Sequence, residues 1–187
     1  MGIFFSTENV LSCETPDKAL GKYTIKVFRP CVTARIAISG NYTGNAFGFL
    51  ASYIGVFESP ANDQHRRLDM TVPVLVTNYP SLANRAMEFV LKVKYQDAPK
   101  PGNNSIQIVQ YPSQKWAVLT LPRGLGLSRW EDVKTIADGC IKELRDMKLV
   151  PDGVWKLAIY HPPTFFEQFQ RNDLHILLSD TYDSVSG

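Results

Sequence analysis

Apolar and polar residues alternate from the first third of the chain onward, and the period of that alternation changes along it. Tyr23, Ile25 and Val27 alternate with Thr24 and Lys26. Beyond Pro30 the apolar phase moves by one, to Ala34, Ile36 and Ile38. Lys22 to Ser39 therefore reads as extended chain with a bulge or bend at Pro30. Gly40 to Gly44 reads as a turn. From Asn45 to Ile54 the spacing of Phe47, Leu50 and Ile54 is helical, and Gly55 is suited to a left-handed cap. Glu58 to Arg67 is rich in loop residues.

Thr71 to Thr77 is β-branched and apolar, hence a strand. Ala86 to Tyr95 alternates cleanly, with Met87, Phe89, Leu91, Val93 and Tyr95 on one face and Glu88, Lys92 and Lys94 on the other. That pattern predicts a sheet with one wet side. Gln96 to Asn104 reads as a loop and Lys115 to Leu121 as a strand. Ser128 with Glu131 forms a capping-box pattern. Trp130, Val133, Ala137, Cys140 or Ile141, Leu144 and Met147 then mark an amphipathic helix of about five turns. Trp155 to Tyr160 and Leu174 to Leu178 are two last strands, joined by an aromatic loop. The order is strand, helix, strand, strand, met twice. It predicts one α+β domain over residues 1–187, with mainly antiparallel strands curled into a barrel-like sheet and a helix on each side.

Composition narrows the chemistry. The chain has 187 residues, 44% hydrophobic and 20% charged, with a net charge of +2 at pH 7. Such a balance gives no footprint for nucleic acid. Cys13, Cys31 and Cys140 are odd in number and widely spaced, so no disulfide framework or zinc site is expected, and a reducing, cytoplasmic setting fits. No run of 18 apolar residues is long enough to span a membrane. Met1-Gly2-Ile3-Phe4-Phe5-Ser6 matches a loose N-myristoylation pattern at Gly2, which leaves peripheral membrane association open; Ile3, Phe4 and Phe5 equally suit a core anchor. Oligomeric state is not legible.

Familiar catalytic signatures are absent: no G-x-G-x-x-G after a strand, no Walker loop, no G-x-S-x-G elbow. Gly124-Leu125-Gly126 reads as a turn. His65, His161 and His175 form no metal motif. His65 falls in a polar loop, and His175 is out of phase with Leu174, Ile176 and Leu178, so it should face the other side of its strand. Arg29 and Arg35 flank Cys31 and could lower its pKa, although a half-buried inert thiol is the plainer reading. Tyr160, Phe165, Phe166 and Phe169 crowd one loop; such a run either packs on the domain's own core or forms the wall of a flat apolar pocket.

Three motifs resemble the SOUL heme-binding proteins, in their short plant- and alga-type form. They are Ala46-Phe47-Gly48-Phe49-Leu50-Ala51-Ser52-Tyr53-Ile54-Gly55-Val56-Phe57 with Pro60 and Asn62, then Met70-Thr71-Val72-Pro73-Val74, then Tyr160-His161-Pro162-Pro163 through Phe169, Arg171, Asn172 and Asp173. The resemblance implies a nine-stranded distorted barrel with two flanking helices. It also implies non-covalent binding of heme or a protoporphyrin by a non-enzymatic buffer, carrier or sensor. The implied site lies between the first helix and the aromatic loop, at Gly44, Phe47, Ala51, Ser52, Ile54, Tyr160, Phe165 and Phe166. Some relatives carry an iron-ligating histidine where Val27 stands here, and basic residues for the propionates where Gly44 and Ser52 stand. No axial ligand is therefore assigned, and His161 is the one histidine kept open for that role. Two alternatives remain: an enzyme on the same scaffold, acting on a tetrapyrrole or hydrolysing another small molecule, and a protein-interaction module.

Overall fold

The computed structural model describes residues 11–38, 43–80, 85–161 and 171–179. Expectations for Gly2, for most of the Gly40–Gly44 turn and for Phe165, Phe166 and Phe169 fall outside that set.

Among the described residues, nine strands and two α-helices follow in order: β1 (Lys18–Leu20), β2 (Tyr23–Phe28), β3 (Cys31–Ile38), α1 (Thr43–Ile54), β4 (Val74–Asn78), β5 (Arg85–Leu91), β6 (Ile106–Tyr111), β7 (Gln114–Thr120), α2 (Trp130–Asp146), β8 (Pro151–Ile159) and β9 (Asn172–Leu178). All strands join one sheet in the order β1-β2-β7-β9-β8-β4-β5-β3-β6, and every pairing is antiparallel. The fold is α+β, as expected, but among the described residues β1 and β6 are edges, so the sheet is open there rather than a closed barrel.

The duplicated unit shows in the topology. β3-α1-β4-β5 and β7-α2-β8-β9 each lay their strands first-third-second, and they meet at the β8–β4 pair. The leading strands are exchanged: β2 precedes β3 yet pairs with β7, while β6 precedes β7 yet pairs with β3. The break at Pro30 thus separates two strands far apart in the sheet, a larger change than the single bend expected. Pro73 likewise delays its strand, so β4 begins at Val74 rather than Thr71. β6 escaped the sequence pattern because Gln107 and Gln110 dilute its apolar alternation.

Both helices pack on one sheet face and share one core. Leu50, Tyr53 and Ile54 of α1 and Val133, Ala137 and Leu144 of α2 are buried with Ala34, Phe89, Trp155, Leu157, Leu174 and Ile176. α1 closes as a Schellman motif: Gly55 N–H donates to Ser52 O (3.1 Å) and Val56 N–H to Ala51 O (2.9 Å), with Gly55 at φ +81°. α2 starts differently from the expected capping box. Leu127–Arg129 forms a 3-10 turn, Arg129 holds the cap position without a side-chain cap bond, and Arg129 pairs with Asp132 instead (2.7 Å).

The second face corrects another expectation. Glu88, expected on a wet side, is fully buried. It accepts hydrogen bonds from Thr33 Oγ1 (3.1 Å) and Thr77 Oγ1 (2.5 Å), and Lys156 Nζ lies 3.5 Å away. Lys156 Nζ also sits over the rings of Tyr111 (4.1 Å) and Trp116 (5.5 Å). Alternation finds the two faces of a strand; it cannot tell a solvated face from one where charges are buried in pairs.

Candidate functional site

α1 carries the first group of expected site residues. Its core stripe is Ala46, Leu50, Tyr53 and Ile54, all buried. Gly44, Phe47, Gly48, Ala51 and Ser52 follow one another at helical spacing along an adjacent flank. Phe47 is half-buried and packs edge-on against Phe89, ring centroids 5.4 Å apart. Gly48 opens that flank: a Cβ placed there would meet nothing within 4 Å. No residue from Thr43 to Ile54 is charged, and none is His, Cys or Met. The flank can therefore take a flat apolar surface, and it offers neither an iron ligand nor a cationic partner for a carboxylate.

Ile54 is 1% exposed and belongs to the core below. Tyr160 follows β8 and packs with Leu75, Val90 and Ala158. Those residues alternate with Val74, Val76, Phe89, Leu91, Leu157 and Ile159 of the main core, so Tyr160 faces away from α1. The structure thus keeps the half-buried Phe47 on the flank, buries Ala51 with Ile54 in the core, and separates all three from Tyr160. His161 is half-buried just after β8, and His65 is exposed.

Cys13, Cys31 and Cys140 are all free thiols. Burial pushes the Cys31 thiol up, and Lys156 opposes that only in part. This agrees with the plainer reading of an inert thiol: Arg29 is exposed at the strand break, and Arg35 donates to Tyr79 (3.2 Å) and Gln107 (2.7 Å). A protonated half-buried thiol is a poor nucleophile.

The second face holds a group that sequence reasoning missed. His175 does face away from Leu174 and Ile176, as its phase required, and its ring stacks on Phe28 at 5.4 Å and 20°. Burial pushes its pKa down to about 4, helped by Lys156 and Lys26 and opposed by Asp173. Asp173 lies two residues before it on the same face, and Tyr160 lines the same cavity as both. The useful signal was the His-Asp pair at i and i+2 of one strand, each out of phase with the apolar residues.

Among the described residues no cluster of three or more His, Cys, Asp or Glu side chains could hold a metal ion. No helix among them is long and apolar enough to cross a membrane.

The profile of the family described as SOUL heme-binding protein matches residues 10–177. No curated protein matches the sequence. Solved structures share the fold at low identity. The C-terminal domain of EcmrR is 6% identical at a TM-score of 0.60, over 85% of this chain and 98% of that one. An uncharacterized conserved protein from Listeria innocua is 11% identical at 0.56, over 84% and 92%. A structure described as a hydrolase from Listeria innocua is 12% identical at 0.54, over 84% and 92%.

Proposed function

Because the chain belongs to the SOUL heme-binding protein family, we propose that it holds heme or a related protoporphyrin without a covalent bond. The macrocycle lies on the flank of α1 formed by Gly44, Phe47, Gly48 and Ser52, over the buried Ala51, and Phe165 and Phe166 are proposed as its further contacts. Ile54 supports this wall from inside, and Tyr160 stands outside it. The observation that carries the reading is the open space above Gly48 on an uncharged flank. A flat ring needs close approach along a helix, and small residues allow it.

Apolar area supplies the affinity, at about 25 cal/mol per Å² removed from water, less the costs of ordering. The flank offers no iron ligand, so the metal contributes little. The protein then acts as a buffer, carrier or sensor of the ring rather than as an enzyme. Absorption titrations with hemin and with metal-free protoporphyrin test this: the two should bind within about tenfold, or about 1.4 kcal/mol. A much tighter hemin complex whose advantage disappears in His161→Ala would make His161 an axial ligand and overturn this reading of the site.

A further inference from the structure

On the sheet face away from α1, a cavity of about 590 Å³ is lined by Thr24, Lys26, Phe28, Tyr160, Asp173 and His175, with Lys22, Asp17 and Arg171 around it. Its volume is that of a small-molecule site. Two buried atoms in its lining residues lack any hydrogen-bond partner, Asp173 Oδ1 and His175 Nε2. Arg171 Nε lies 3.6 Å from Asp173 Oδ1, a charge neighbour beyond hydrogen-bond reach. Native interiors rarely leave such groups unmet, and two in one cavity ask for a partner that brings donors.

The chemistry of that partner follows from what surrounds them. The imidazole is neutral, so its Nε2 can accept a proton donor when Nδ1 carries the ring proton. Asp173 can only accept. The inner end of the cavity therefore wants a group with several N–H or O–H donors. The outer end carries the cations Lys22, Lys26 and Arg171, each beside a carboxylate. Lys22 pairs with Glu143, Lys26 with Asp17 (2.5 Å), and Arg171 reaches Thr120 Oγ1 (3.3 Å) while its side chain stays 64% exposed. A plain organic cation would meet the field of Lys26 and Lys156. A plain anion would meet the Asp173 carboxylate.

We propose that this cavity binds a small amino-acid-like zwitterion, its ammonium group on Asp173 Oδ1 and His175 Nε2 and its carboxylate toward Arg171 and Lys26. An ammonium brings three donors, and Tyr160 and Thr24 line the same cavity as candidates for the third. The Phe28 ring gives the wall against which an apolar side chain packs. This site is separate from the α1 flank and does not depend on tetrapyrrole binding.

The test uses the full isotope-labelled chain, with L-phenylalanine, phenethylamine and 3-phenylpropionate as probes and the His175 ring signals as the readout. Phenylalanine should shift those signals saturably, and each of the other two should bind at least tenfold more weakly. Asp173→Asn should weaken phenylalanine binding at least tenfold. Should that variant lose its native spectrum, Arg171→Ala, at an exposed position, should still weaken phenylalanine more than phenethylamine. Absence of a saturable His175 shift, equal binding of the three probes, or undiminished binding by Arg171→Ala would overturn the proposal. So would hemin shifting the His175 signals, since the cavity would then belong to the tetrapyrrole. Gly48→Leu should leave phenylalanine binding unchanged, which separates failure here from failure on α1.

Discussion

Lys156 Nζ lies 3.5 Å from Glu88 Oε1, with the two side chains 7% and 0% exposed. The pair joins β8 to β5 across β4, where Glu88 stands opposite Leu75 and Lys156 opposite Thr77. Thr33, Thr77 and the rings of Tyr111 and Trp116 complete its surroundings. A buried pair of this kind holds its partners in one arrangement, whatever its net contribution to stability.

Removing one partner exposes the cost of the other. Lys156→Met should destabilise the fold by about 3–5 kcal/mol, because it leaves the Glu88 carboxylate buried and unpaired. The double variant Lys156→Met with Glu88→Gln should recover much of that loss. Urea unfolding of the three proteins checks both outcomes; a Lys156→Met variant as stable as the parent would refute the account.

His175 makes stability depend on pH with a definite sign. Its folded pKa, about 4, lies below the usual value of 6.5, chiefly through burial, with Lys156 and Lys26 adding and Asp173 opposing. Above pH 6.5 the ring is neutral in both states and contributes no difference. As pH falls from 6.5 toward 4 the unfolded chain takes up a proton that the folded one refuses, so stability drops, by a total on the order of 3 kcal/mol. Unfolding curves between pH 7 and pH 4.5 should show a steeper loss in the parent than in His175→Gln.

Two glycines around α1 should respond in opposite directions. Gly55 sits at φ +81°, and a Cβ there would come within 2.5 Å of Pro60 Cγ. Gly55→Ala should cost at least about 1–2 kcal/mol from the left-handed backbone alone. Gly48 is helical with open space around it, so Gly48→Ala should stabilise by roughly 0.5–1 kcal/mol. Thermal unfolding of each variant decides.

The same open space gives a binding test that spares the fold. Gly48→Leu should fill the flank and weaken hemin and protoporphyrin at least tenfold, while circular dichroism stays that of the parent. His65→Ala, in an exposed loop, should bind as the parent does. Phe47→Asp is the poorer probe, because Phe47 packs on Phe89 as well as lining the flank and a buried carboxylate there would unsettle the core. A Gly48→Leu variant with undiminished affinity would move the ring elsewhere.

Much of the fold was legible because periodicity reports which face of an element is apolar. Leu50 and Ile54 of the α1 stripe, the Gly55 cap, the length of α2 and the turn of His175 away from Leu174 and Ile176 all follow from spacing, whereas Phe47 lies beside the buried stripe of Ala46, Leu50, Tyr53 and Ile54. What spacing could not carry was the content of the second face. Glu88 and Lys156 look solvated in sequence and are buried in pairs. Ser128 offered a cap that the 3-10 turn at Leu127–Arg129 displaced. Of the candidate site, the helix flank was readable, whereas the Asp173–His175 cavity needed the pairing of β9 with β7 and β8, which no local pattern encodes.

The exchanged leading strands have a consequence for how the chain reaches this state. Neither half can complete its part of the sheet from its own residues, because β2 waits for β7 and β3 waits for β6. Those partners lie far along the chain, so the entropy of closing long loops is spent before the pairing rewards it. The protein belongs among the slow, non-local folders, in the millisecond-to-second range or beyond. A chain severed between β5 and β6 would yield two fragments that are each unfinished alone and complementary when mixed.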